Sequence, residues 1–167
     1  MSQVAAAIEW KSQLAAALRL FGHRNWIVVA DSAYPAQSSP GIETVASDSD
    51  QVHVLRTVVE GISASSHVRA NIYLDHELDF LSEQDAPGVV NYRHELQTIL
   101  RGTSVLKVPH EQIIHKLDQS AELFRILIIK TGFTVPYTSV FLELDCGYWS
   151  ADAESRLRAA IANTEPK

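Results

Sequence analysis

Residues 21–41, FGHRNWIVVADSAYPAQSSPG, contain the clearest strand signal in the chain. The run WIVVA at 26–30 is continuously apolar and rich in β-branched residues, which is typical of a strand buried on both faces, as in a parallel sheet. His23 precedes this run and Asp31 follows it, and residues 32–41 have the Pro, Ser and Gly content of a loop. The stretch therefore predicts a central strand with a residue capable of acid/base chemistry at each end.

Outward from this strand, helical and extended patterns alternate along the chain. Glycine 22 is well placed to end a helix over 3–21, and Asp48 or Ser49 could cap a helix that begins near residue 50. Pro109 suits the first turn of a helix over 109–121. Further helices are expected at 89–101 and 150–162, and strands at 42–46, 68–75, 105–108, 124–130 and in the alternating tail of 134–145. The order predicts one α/β domain over 1–167, with a mostly parallel sheet flanked by helices.

Composition excludes several classes of function. The 167 residues are 46% hydrophobic and 20% charged, as expected of one globular domain, and no apolar run approaches the roughly 20 residues of a membrane span. The formal net charge of −6, without any Lys/Arg cluster, argues against nucleic-acid binding. Cys146 is the only cysteine, so no internal disulfide is possible. Without a basic, apolar leader at the N-terminus, a cytoplasmic location is expected.

Common metal and nucleotide motifs are missing. A zinc-protease helix needs two histidines four residues apart, whereas His110 and His115 are five apart, which rotates the second ring by roughly 140°. No metal site is predicted, although ligands distant in sequence stay open. Neither phosphate-binding glycine motif nor a GxSxG nucleophile elbow occurs, so no nucleotide cofactor is predicted.

The remaining candidates for chemistry are His23, Asp31, His110 and Tyr137. Asp31 lies at the carboxyl end of its strand, where parallel α/β sheets bind ligands. His23 lies at the other end, eight residues away along a stretch that rises about 3.3 Å per residue where it is extended. Each residue also has an ordinary structural explanation, as a helix cap, a turn former or a packed strand residue. A shared site would need loops, or two subunits, to bring them together.

Taken together, these segments resemble the ribose pyranase/fucose mutarotase family. Phe21-Gly22-His23, the apolar strand and Ala30–Ala36 resemble the family's Gly-His, strand, Asp-Ala-x-x-Pro signature. His110-Glu111-Gln112, then FRILIIKTG at 124–132 and Pro136–Leu142, resemble its later motifs in the same order. The likeness extends over roughly residues 10–145, and the middle, including Val89–Leu100, is more like the fucose branch.

Two positions depart from the family pattern. Phe133 stands where the family has Glu, which removes a charged group near the expected sugar. Ser139 stands where the family has Asn, which shortens a hydrogen-bonding arm. The loop 37–40 and the segment 75–88 also diverge. Such changes either retune the substrate or mark a protein that has lost catalysis.

The resemblance implies an RbsD-like fold and a cofactor-independent mutarotase or pyranase acting on a free monosaccharide. In this reading His23 is the principal acid/base, since a histidine gives or takes a proton near neutrality. Asp31 orients a histidine or a sugar hydroxyl, His110 is the complementary acid/base or a sugar-binding group, and Tyr137 donates a hydroxyl hydrogen bond.

Three weaker sugar-binding candidates are Ser139, Tyr92 and Arg93. The resemblance also implies a ring-shaped homo-oligomer with the site at a subunit interface, which would explain why His23 and Asp31 occupy opposite ends of one strand. Two alternatives stay open at this stage. One is a non-catalytic monosaccharide-binding or assembly protein on the same fold, and the other is an unrelated α/β protein.

Overall fold

The computed structural model describes residues 3–164, with side chains from residue 9 onward. The expectation that one domain spans 1–167 stays a prediction, and residues 1–2 and 165–167 lie outside the described residues. The α-helices are α1 (Gln3–Leu20), α2 (Gln51–Ser63), α3 (Val89–Ile99), α4 (His110–Ala121) and α5 (Ala151–Ala162). The strands are β1 (Trp26–Ala30), β2 (Ile42–Ala46), β3 (Val68–Asp75), β4 (Val105–Val108), β5 (Ile126–Lys130) and β6 (Val140–Cys146).

One six-stranded sheet holds all these strands in the order β2-β5-β1-β6-β3-β4. Strand β1 pairs in parallel with β5 and antiparallel with β6, so that Val28 lies between Ile128 and Phe141. Strand β6 is also antiparallel to β3, while β2 with β5 and β3 with β4 pair in parallel. Five strands therefore share one direction, which confirms the predicted mostly parallel α/β sheet and the pairing of 26–30 with the strand of 124–130.

Helices cover both faces of the sheet, which explains the continuous apolar runs. All five residues of β1 are buried. Ile27 and Val29 face a core shared with α1, α2 and α3. Trp26 and Val28 face a second core, to which α4 contributes Ile113, Leu117 and Ala121. A strand covered on both sides gains from apolar residues at every position rather than at alternate ones.

Some element boundaries differ from the sequence expectation. Asp50, rather than Asp48 or Ser49, caps α2, because its carboxylate accepts the backbone N–H of His53 at 2.9 Å. Helix α4 begins at His110, with Pro109 as its N-cap. Strand β5 begins at Ile126 rather than at 124, since the N–H of Phe124 still bonds the end of α4 at Ser120. The segment after β3, expected to be irregular, contains a short 3₁₀ helix, His76–Phe80.

A buried polar cluster holds the loops at the carboxyl edge of the sheet. The Gln51 side-chain amide donates to the Tyr92 hydroxyl at 2.9 Å and to the Thr138 carbonyl, and its oxygen accepts from Thr131 at 2.8 Å. The Tyr92 hydroxyl donates to the Thr138 carbonyl at 2.6 Å. Gln51 and Tyr92 are nearly inaccessible to solvent. Because buried polar groups without partners are costly, these bonds fix residues 131–138 against α2 and α3.

Replacing Tyr92 tests this role. We expect Tyr92→Phe to lower the free energy of unfolding by about 1–3 kcal/mol, because the Gln51 amide and the Thr138 carbonyl each lose a buried partner. Urea denaturation followed by far-UV circular dichroism measures the change. The matched control is Tyr148→Phe, whose ring is exposed. Equal stability of both variants and wild type would contradict the structural role of Tyr92.

Candidate active site

Asp31, His110 and Tyr137 line one cleft of about 360 Å³ at the carboxyl edge of the sheet. Asp31 follows β1, and His110 opens α4 soon after β4. Tyr137 precedes β6, and because β6 is antiparallel to β1 and β3, its start lies at the edge where those strands end. Three of the four main sequence candidates are therefore brought together within one copy of the chain.

Asp31 is held in a fixed orientation. Its Oδ1 accepts the N–H of Ala33 at 2.9 Å, and its Oδ2 accepts the Ser139 hydroxyl at 2.8 Å. The N–H of Asp31 donates back to Ser139 Oγ at 3.2 Å. Ser139 is buried, so its hydroxyl serves the Asp31 carboxylate in this structure. The aspartate keeps lone pairs for further hydrogen bonds, because a carboxylate accepts about four.

His110 forms a hydrogen-bonded pair with the buried Asp75. Its Nδ1 lies 3.0 Å from Asp75 Oδ1, and its backbone N–H donates to both carboxylate oxygens of Glu77 at 3.1 Å. A carboxylate at Nδ1 places the ring proton there and leaves Nε2 to exchange a proton. The ring of Tyr137 meets the His110 ring edge-on, with centroids 5.7 Å apart. This is the arrangement in which an aspartate orients a histidine for general acid/base catalysis.

Acidic and buried polar groups surround the cleft, which Asp31 and Glu111 line. Burial raises the pKa of Asp75 to about 6, although the bond to His110 acts in the opposite direction. Burial, followed by the charges of Asp118, Asp75 and Asp31, raises the pKa of the Tyr34 hydroxyl. Within residues 9–164, neither Asp75 Oδ2 nor the Tyr34 hydroxyl has a hydrogen-bond partner. Tyr34 lines the cleft and Asp75 lies buried behind His110, and electrostatic interactions of buried groups are stronger than those in water.

Sequence reasoning did not identify Asp75, Glu77 or Tyr34. A signal for Asp75 was present, because it ends the strand VRANIYLD as Asp31 ends WIVVA. Two aspartates that end strands of the same direction lie at the same edge of a sheet. The adjacency of Tyr34 depends on the path of the loop after Asp31, which carries no comparable pattern.

His23 lies at the opposite edge of the sheet. Its Nδ1 is 2.9 Å from Asp145 Oδ1 at the end of β6, and its side chain is 58% exposed. The other oxygen of Asp145 accepts from Arg69 at 2.7 Å. His23 lines a separate cleft of about 680 Å³ together with Arg24 and Trp149. Within one copy, the length of β1 separates His23 from Asp31, as their positions in the sequence imply.

Tyr92 and Arg93 do not line the Asp31–His110 cleft. Tyr92 belongs to the buried polar cluster, and its ring packs against Phe133, with centroids 5.0 Å apart. Arg93 donates to the carbonyls of Leu78 and Leu81, which ties α3 to the 3₁₀ helix. Phe133, which stands where the family has Glu, is thus a packing residue that is partly buried against the core.

The described part of the chain lacks two other classes of feature. Among these residues, no group of three or more His, Cys, Asp or Glu side chains is arranged to hold a metal ion. None of the helices in residues 3–164 combines the length and hydropathy needed to cross a bilayer.

The raised pKa of Asp75 predicts a pH-dependent stability. A native-state pKa above the unfolded value means that the folded protein binds the proton more tightly, so this contribution is complete below about pH 4 and is lost as the pH rises through about 6. We expect Asp75→Asn to remove this part of the pH dependence between pH 4 and 7. Urea denaturation at several pH values measures it, with the exposed Asp152→Asn as control. Identical pH profiles for wild type and Asp75→Asn would contradict the assignment.

Comparison with known proteins identifies the family of the chain. The chain resembles Bacillus subtilis RbsD complexed with D-ribose, at 18% identity and a TM-score of 0.57, with 80% of this chain and 92% of that chain covered. It also resembles the Streptococcus pneumoniae fucose mutarotase in complex with L-fucose, at 20% identity and a TM-score of 0.53, with 80% and 91% covered. A search of curated proteins found no match. The family model of the RbsD / FucU transport protein family matches residues 10–146, and the chain therefore belongs to this family.

Proposed function

We propose that this protein is a cofactor-independent mutarotase or pyranase, which interconverts anomers or ring forms of a free monosaccharide. The observation that carries the proposal is the convergence of Asp31, Tyr137 and an Asp75-oriented His110 on one cleft. Two structurally similar proteins bind D-ribose and L-fucose in their solved complexes, which supports a monosaccharide as the ligand.

The reaction needs only proton transfers. One group protonates the ring oxygen while another removes the proton of the anomeric hydroxyl, so the bond from C1 to the ring oxygen breaks as the carbonyl forms. Reclosure on the other carbonyl face, or through another hydroxyl, gives the other anomer or ring size. His110 Nε2 is the atom that gives or takes such a proton in this proposal, because Nδ1 is bound to Asp75. Asp31 accepts a hydrogen bond from a sugar hydroxyl, and the partly exposed Tyr137 donates one.

The second acid/base in this proposal is His23 of a neighbouring copy. Strand β1 is buried on both faces and cannot fold back, so His23 and Asp31 of the same copy stay apart. Asp145 binds His23 Nδ1 as Asp75 binds His110 Nδ1, which orients two imidazoles in the same way at opposite ends of the molecule. A head-to-tail contact that joins these ends closes into a ring when its rotation permits, and each contact completes one site.

The other predicted sugar contacts take different roles in this proposal. Ser139 positions the Asp31 carboxylate and can reach the sugar only through it. Tyr92 and Arg93 support the loops behind the cleft. Consequently, in this proposal the specificity for the sugar depends on Asp31, Tyr137 and Glu111, which line the cleft.

Removing either histidine tests the chemistry. We expect His23→Ala and His110→Ala each to lower the enzyme-dependent exchange rate by about 10²-fold or more, because each loses one proton-transfer group. Saturation-transfer NMR on a panel of free aldoses that includes ribose and fucose measures exchange between anomer or ring-form signals. His94→Ala, on an exposed face of α3, is the control. Exchange that persists at the wild-type rate in both variants would overturn the proposal.

Mixing variants of the two ends tests whether the site is shared, since Asp31→Asn, which loses the carboxylate that accepts from the sugar, is also expected to lose most of the exchange activity. His23→Ala keeps an intact cleft, and Asp31→Asn keeps an intact His23, so a mixed assembly regains some complete sites. Random mixing in equal amounts predicts recovery of about a quarter of the wild-type rate. Either variant re-assembled with itself is the control. A mixture no more active than its components would contradict a shared site.

A non-catalytic monosaccharide-binding or assembly protein is the second candidate. It is favoured by Ser139, whose hydroxyl is directed to Asp31, and by Phe133, which is packed against Tyr92 where the family has a charged residue. The same NMR panel separates the two candidates. Saturation transfer from protein to sugar without accelerated exchange would favour the binding protein.

A further inference from the structure

Helix α5 lies outside both cores of the chain. It follows Gly147, Tyr148, Trp149 and Ser150 and lies beyond residue 146, where the family match ends. None of its residues is buried, whereas every other α-helix contributes residues to a core. The helix is therefore an addition to the family domain that the core does not stabilise.

Local hydrogen bonds stabilise residues 149–158 but leave an apolar face of α5 partly exposed. The Ser150 hydroxyl accepts the N–H of Ala153, and Glu154 accepts from both Trp149 Nε1 and Arg158 Nε. An isolated helix of about 12 residues is marginal in water, and most helical stability in proteins comes from packing an apolar face. Leu157 and Ile161 lie one turn apart and are 42% and 43% exposed. Leu157 and Ile161 thus form a partly exposed apolar face of α5, which packing against another surface would stabilise.

The segment is fixed next to His23. Gly147 donates its N–H to the His67 carbonyl at 2.9 Å, and a Cβ at Gly147 would lie 2.8 Å from the Val68 nitrogen, so the chain leaves the sheet in close contact with β3. Trp149, Glu154 and Arg158 line the same cleft as His23. A neighbouring copy that receives His23 therefore also meets Trp149 and α5.

The distribution of charge favours a second copy of this chain as the surface that binds the apolar face of α5. The end of the molecule that carries His23 presents basic side chains, namely Arg24, Arg69 and Arg158, against the carboxylates of Asp145 and Glu154. The end that carries the Asp31–His110 cleft has an excess of acids, namely Asp31, Asp75, Glu77, Glu111 and Asp118. Opposite charges at opposite ends favour head-to-tail contacts and disfavour contacts between like ends.

We propose that residues 147–164 dock on a neighbouring copy beside its Asp31–His110 cleft, with Leu157 and Ile161 buried in the contact and Trp149 at the rim of the shared site. This inference rests on the shared site of the proposed function. It adds a chain-specific wall to that site, so the sugar is enclosed partly by a segment that the matched family domain does not include.

Photo-crosslinking identifies the surface that α5 contacts. A p-benzoylphenylalanine at Leu157 is introduced into the full chain, and ¹⁴N- and ¹⁵N-labelled copies are mixed before irradiation. We expect crosslinked peptides of mixed isotope that join residue 157 to segments 31–41, 110–118 or 136–137. The same photo-reactive residue at Ser155, on the opposite face, is the control. Crosslinks only within one copy, only to other surfaces, or to no peptide of this chain would overturn the proposal.

A pair of charge variants tests the apolar face itself. Leu157→Glu with Ile161→Glu should raise the protein concentration at which the assembly dissociates by about tenfold or more, because two apolar side chains leave the contact. Ser155→Glu with Ala159→Glu adds the same charges on the opposite face and should leave it unchanged. Sedimentation velocity measures both. Equal dissociation of the two variants would contradict docking through Leu157 and Ile161.

The two proposals fail in different ways. Recovery of activity on mixing His23→Ala with Asp31→Asn, together with crosslinks from residue 157 that avoid the neighbouring cleft, would overturn the docking of α5 alone. Crosslinks to the neighbouring cleft without recovery of activity would support the docking and overturn the shared catalytic site.

Discussion

The antiparallel insertion of β6 between β1 and β3 is the constraint on which the candidate site depends. Had β6 run with its neighbours, Tyr137 and Ser139 would lie at the edge that carries His23. Because it runs against them, the loop before β6 reaches Asp31 and His110, and the end of β6 delivers Asp145 to His23. One reversed strand thus supplies residues to both ends of the molecule.

The central part of the sheet is rigid because strand β1 and its two neighbours, β5 and β6, are buried. Helices cover β1 on both faces, and β5 and β6 bond both of its edges, so the distance between His23 and Asp31 cannot change without breaking the core. The sheet therefore holds two oriented histidines, His23 and His110, at a fixed separation on its opposite edges. A fold with this property suits the proposed shared site, in which each of two copies would supply one of the two histidines.

The sequence predicted the helices and strands better than it predicted how the strands pair and in which direction each one runs. Strand β1 was recognisable because burial on both faces demands a continuous apolar run, and Asp31 because polar residues gather at carboxyl ends of strands. The direction of β6 was not recognisable, because an alternating run is compatible with either direction. Asp75 was missed since an aspartate that ends a strand is usually a turn former. Its role depends on the pairing of β3 with β4, which brings His110 beside it.

The two departures from the family pattern follow from the surroundings of each side chain. Phe133 packs against Tyr92 and is partly buried, so a carboxylate at this position would be partly desolvated. Ser139 is too short to reach past Asp31 and instead fixes its carboxylate. Near His110 the carboxylates are Asp31, which Ser139 holds, Asp75, which is buried, and Glu77, which accepts the His110 backbone N–H. Because a buried carboxylate opposes ionisation while its histidine partner favours it, the Asp75–His110 pair is the group in this cleft best suited to move a proton.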